Sequence, residues 1–153
     1  MTSGWDALDA FQVSNRNLPK IADAIDLAAL QMVRHAPLDP AAFDKIRALS
    51  PVGADDLVRQ VVEAYLKAAQ REWARFEQGL ADGDAALLAN AAHALKSSSF
   101  NVGANVFASL CKEVEQLGRE GRMRRLVARV DALRAEWQRV EAALQEVLAE
   151  LPS

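Results

Sequence analysis

Apolar residues recur at steps of three and four along most of this chain, the spacing that lines one face of a helix. The longest stripe is Leu126, Val130, Leu133, Trp137, Val140, Leu144, Val147 and Leu151, and it predicts a helix over residues 122–151. A second stripe, Leu57, Val61, Ala64, Tyr65, Ala68, Trp73 and Phe76, predicts a helix over 55–79 with a shift near Ala69. Leu110, Val114 and Leu117 point inward from a helix over 106–117, which Gly118 and Gly121 end. Leu88 and Leu95 anchor a helix from Ala85 to Ser99 or Phe100, with Asp84 as its N-cap. Asp39 and Pro40 open a shorter helix that runs to Leu49, and Ser50-Pro51-Val52-Gly53 forms a turn. Long helices with short connections pack as antiparallel neighbours. The fold class is therefore all-α: an antiparallel up-down four-helix bundle with additional N-terminal helices.

The bundle is assigned to residues 38–151 and an N-terminal extension to residues 1–37. Within the extension, Leu18, Ile21, Ile25, Ala28 and Met32 step as a helix over about residues 18–34. It serves either as an extra packed helix or as a dimer or partner contact. Residues 1–17 show no clear period and read as loosely ordered, with Trp5, Leu8 and Phe11 able to form one small amphipathic turn. Pro37 disfavours helix for the residue before it, so His35 reads as a linker histidine.

Composition narrows the class. Hydrophobic residues make up 51% and charged residues 25%, the balance of a soluble globular domain. The net charge of −3 gives nucleic acid no electrostatic reason to bind. No apolar run is long enough to span a bilayer, so no membrane role is expected. A single cysteine, Cys111, excludes an internal disulfide and fits a reducing, cytoplasmic compartment. It reads as a small buried residue. Arg122, Arg124, Arg125 and Arg129 read first as a solvated basic face, with partner binding as the alternative.

The candidate chemistry lies on the helix over 85–100. A helix advances roughly 100° per residue. Taking His93 as reference, Ala86, Ala89, Asn90, Lys96, Ser97 and Phe100 fall within roughly 60° of it, while Leu88, Ala91, Leu95 and Ser98 fall beyond about 120°. With Leu88 and Leu95 in the core, His93 faces water. Small side chains around it leave room for another protein to approach. Lys96, one turn on, is the one cation near the ring and can share an anion with it. Ala89, Asn90, Ser97 and Phe100 are candidate docking contacts. Ser98 and Ser99 point nearer the core and bond back to helix carbonyls. Gly103, in the break that follows, permits a close turn or tight packing. An unperturbed imidazole titrates at about 6.5, so it offers a neutral nucleophile near neutral pH.

His93-x-x-Lys96, the Lys96-Ser97-Ser98-Ser99 run, Asn101-x-Gly103-Ala104 and Leu110-Cys111-Lys112-Glu113-Val114-Glu115-x-x-Gly118-Arg119-x-Gly121 together resemble the histidine-containing phosphotransfer domain of bacterial phosphorelays. The general pattern spans residues 38–149, and its specific part spans 91–121. Phe100 departs from it, since a smaller residue is usual there. The resemblance implies a phosphorelay intermediate. Its far ring nitrogen on His93 accepts a phosphoryl group from an aspartyl phosphate on a response-regulator receiver domain and passes it to another receiver. It implies receiver domains and a hybrid histidine kinase as partners. Phosphoryl transfer asks mainly for alignment and charge stabilisation. Lys96 is assigned to the phosphoryl oxygens, and the remaining machinery, Mg²⁺ included, to the receiver. The chain has no glycine-rich phosphate loop and hence no ATP site or cofactor of its own. It reads as a phosphocarrier, not an enzyme.

The competing reading is a helical adaptor that binds a receiver or another signalling partner without carrying phosphate. A metal or hydrolytic site fits poorly, because the two histidines are distant in sequence and no carboxylate cluster flanks His93.

Overall fold

The computed structural model describes residues 35–152. The expectations for residues 1–34, including the 18–34 helix, lie outside the described residues. Five α-helices follow in order: α1 Pro40–Ala48, α2 Ala54–Asp82, α3 Ala85–Ser99, α4 Asn105–Arg119 and α5 Met123–Glu150. A single 3₁₀ turn, Phe100–Val102, links α3 to α4. The described residues are thus all helical, with α2 to α5 as the bundle and α1 packed across the end of α2 and the 3₁₀ turn.

Local chemistry sets the helix ends. The Asp39 carboxylate accepts the Ala41 amide at 3.0 Å, and Pro40 fills the first helical position of α1. Asp84 does the same for α3, accepting from the Leu87 amide at 3.0 Å. The stop of α4 differs from expectation. Gly118 lies inside the helix and only Gly121, at φ +70°, turns the chain out of it. The Arg122 amide then donates to the Leu117 carbonyl and the Gly121 amide to the Gly118 carbonyl, a Schellman closure.

Gly118 has a packing role instead. A Cβ built on it would stand 3.1 Å from the Ala85 carbonyl oxygen and 3.2 Å from the Ala89 Cβ, so its bareness lets α4 lie close along α3. Gly103 fits its expectation as a close-packed turn residue. Its φ is +77°, its carbonyl accepts the Asp39 amide at 2.8 Å, and a Cβ there would collide with the Asp39 backbone.

The core runs the length of the bundle. All eight stripe residues of α5 are buried or half-buried. Trp73, Phe76, Phe107 and Trp137 form its aromatic centre, with Trp73–Trp137 centroids 5.9 Å apart and Phe107–Trp137 5.4 Å apart. On α2 Tyr65 and Phe76 are buried and Leu57, Val61 and Trp73 half-buried, as expected, but Val58, Val62, Leu66 and Ala69 carry the rest of the buried line and Ala64 is exposed. No helix among the described residues is long and apolar enough to cross a membrane.

Candidate functional site

α3 packs against α2 on one side and α4 on the other. Leu88, Ala91 and Leu95 are fully buried, as their positions predict, and this rotates His93 outward. The His93 side chain is 55% exposed. Asn90 and Ser97 are exposed beside it, and Phe100 is 47% exposed two turns further on. Ala89 is a correction. It is fully buried against Gly118 of α4 and offers no docking surface. The single-helix angle misses this because α3 is covered on two sides, which widens its buried arc.

The serines divide. Ser98 bonds back to the Ala94 carbonyl at 3.1 Å, as its position predicts. Ser99 does not bond to a helix carbonyl; its hydroxyl pairs with the Tyr65 hydroxyl of α2 at 2.7 Å, both buried. Burial pushes the Tyr65 phenol far above its ordinary range, so the pair is neutral.

A residue overlooked from sequence completes the site. Glu115, on α4, approaches His93 Nδ1 at 2.9 Å through Oε2 and accepts from Lys96 Nζ at 2.8 Å through Oε1. Arg119 Nη2, one turn along α4, adds a third bond to Oε2 at 3.3 Å. Among the described residues a single carboxylate, Glu115, thus stands at the ring. Lys96 as a lone cation is overturned, since it is already engaged and Arg119 stands with it. Arg119 is itself half exposed and reaches this carboxylate across one turn of its own helix. Glu115 stands in the motif that carries the resemblance, but spacing alone gives it no role: it is 22 residues from His93 and meets it only through the register of two helices.

The electrostatics follow from the packing. The Glu115 side chain is only 13% exposed. Burial alone would raise its pKa, but the hydrogen bonds and charges of Lys96 and His93 outweigh that and hold it below the ordinary carboxylate range. An ionised carboxylate can only accept, so the bonded Nδ1 carries the ring proton. Nε2 then holds the lone pair, on a ring that is more than half exposed. Lys96, Lys112, Glu115, Gln116, Arg119 and Glu120 line an open depression of about 340 Å³ next to it. Cys111 is buried below, and burial pushes its thiol well up, away from nucleophilic use.

The family model for the Hpt domain matches residues 60–143, more than half of the chain and all of α3 and α4. This chain belongs to the Hpt domain family. Hpt domains are phosphocarriers, and the chain's role is histidine phosphotransfer in a phosphorelay. The Hpt fold is also seen in the crystal structure of histidine-containing phosphotransfer protein B from Pseudomonas aeruginosa PAO1. That structure is 22% identical, superposes with a TM-score of 0.67, and the match covers 76% of this chain and 97% of that one. No curated protein sequence matches the chain. Of the Hpt bundle, α1 and the first turns of α2 lie outside the matched range.

Proposed function

We propose that His93 is the phosphorylated residue of this Hpt domain. In this reading it takes its phosphoryl group from an aspartyl phosphate on a response-regulator receiver domain and gives it to another receiver, with a hybrid histidine kinase upstream. The observation that supports this most is the Glu115 bond to Nδ1, which leaves Nε2 as the free nucleophile. The Nε2 lone pair attacks phosphorus while the bond from phosphorus to the aspartyl oxygen breaks, and the electron pair leaves with the carboxylate. The phosphorylated ring keeps its proton on Nδ1 and becomes cationic, and the Glu115 carboxylate stabilises that charge. Donation to the next aspartate reverses each step.

Lys96 and Arg119 are the cations placed to meet the phosphoryl oxygens once they loosen from Glu115. Each contributes about 1 kcal/mol or less, because exposed pairs are weakened by water. Alignment and the remaining charge stabilisation, with Mg²⁺, are assigned to the receiver. Asn90, Ser97 and Phe100 form its landing surface around the ring.

The test is transfer from a receiver domain charged with acetyl phosphate, with wild type and His93→Gln side by side. Acid-labile, base-stable label on the wild type and none on the variant is the expected result. Absence of label on the wild type despite measurable binding would overturn the carrier reading in favour of the adaptor.

A further inference from the structure

The chain is acidic overall, at −3, yet between Lys112 and Arg129 it places six cations against three carboxylates. The three carboxylates are each engaged: Glu115 with Arg119 at 3.3 Å, Glu120 with Arg122 at 3.3 Å and Glu113 with Arg129 at 3.3 Å. The surplus is Lys112, Arg124 and Arg125, all exposed. None of the three has an ion-pair partner among the described residues.

Where the surplus sits is informative. Arg124 and Arg125 occupy the first turn of α5, which has no acidic residue and no side-chain cap. Cations at a helix N-terminus oppose the macrodipole, so these two do not help to hold α5. Val127, one turn on, is a large apolar residue left 57% exposed in the same stretch. Lys112 borders the site directly, and Arg124 and Arg125 follow three and four residues after Gly121, which borders the start of the histidine helix. Lys112 and Arg119 line the depression beside Glu115. Arg119, Glu120 and Gly121 line a second, of about 500 Å³, against Ala85 and Ala86 at the start of the histidine helix.

Resting on the function proposed above, we propose that Lys112, Arg124 and Arg125 form an electrostatic docking ridge for the acidic face of the receiver that loads His93. The complementarity is chemical. A donor that presents an aspartyl phosphate with Mg²⁺ holds the metal through carboxylates, so the face it turns to His93 is anionic. A cationic ridge at the edge of that contact draws the partner in and fixes its orientation.

The experiment is the charge reversal Arg124→Glu/Arg125→Glu. Glutamate is favoured in a first helical turn, so the variant keeps its fold. The second-order rate of transfer from an acetyl-phosphate-charged receiver domain falls about tenfold at low salt. The gap to wild type closes at about 500 mM salt, where the Debye length shrinks to a few ångströms. Binding of the same uncharged receiver, followed by calorimetry, weakens in parallel. Equal rates and equal binding at low salt would overturn the ridge while leaving His93 as carrier. No label on the wild type, with binding still weakened by the reversal, would overturn the carrier and keep the ridge. Neither label nor binding would overturn both.

Discussion

Glu115 holds His93 by Nδ1 at 2.9 Å, from a different helix and 22 residues away. In the proposed role, the contact makes the nitrogen that accepts phosphate a property of how α3 and α4 meet. Glu115→Ala removes the acceptor, so the ring proton redistributes between the two nitrogens. Transfer slows by about 10-fold or more, as when the partner that orients an imidazole is lost elsewhere. Ring ¹⁵N shifts measure the tautomer directly. An unchanged Nδ1–H signature in the variant would sink the assignment, even if transfer slowed for other reasons.

Two glycines separate strain from crowding. Gly118→Ala gains helix propensity but presses a methyl group at 3.1 Å on the backbone oxygen of Ala85, which no rotamer can relieve. The net cost is about 1 kcal/mol. Gly103→Ala combines a left-handed φ with a 2.5 Å approach to the Asp39 oxygen, and it costs more, about 3 kcal/mol. Urea unfolding of the two variants ranks them, and a larger loss for Gly118→Ala would contradict this packing.

The buried Tyr65–Ser99 pair is a closed unit. Tyr65→Phe or Ser99→Ala alone leaves one buried hydroxyl without its partner and costs about 1–3 kcal/mol. The double variant costs less than the sum. A double-mutant cycle measures the coupling, and strict additivity would show that the two hydroxyls do not depend on each other.

Glu77 and Arg134 tie α2 to α5 with two hydrogen bonds, at 3.0 Å and 2.6 Å. The Arg134 hydrogen bond holds the Glu77 carboxyl below its ordinary range. The folded pKa lies below the unfolded one, so the pair's stabilisation is complete above the unfolded value, about 4.3. It fades as pH falls through the lowered folded value. Both side chains are more than a third exposed, so water screens the pair. Arg134→Met therefore costs only about 0.5–1 kcal/mol at pH 7 and much less near pH 2. Denaturant midpoints of wild type and variant at the two pH values check this. A cost that grew on acidification would have the wrong sign.

The bundle itself was legible from the chain because helical spacing reports burial on one helix at a time. The α5 stripe, the cap at Asp84, the outward turn of His93 and the tight seat of Gly103 all follow from local rules. What escaped needs two helices at once. Glu115 reaches His93 only through the register of α4 on α3, and Ala89 is covered because α4 has a glycine opposite it. On α2, Ala64 mimics a core residue by spacing, but alanine carries too little apolar surface to fix which way a helix turns.

Gly118 stands one helical turn beyond Glu115 on α4, and it is what lets that helix lie flush along α3. In the proposed role, His93 is thus set up by the packing of two helices and not by its own helix alone. A chain with intact helices but a loosened seam would still look helical, yet its histidine would have no assigned nucleophilic nitrogen.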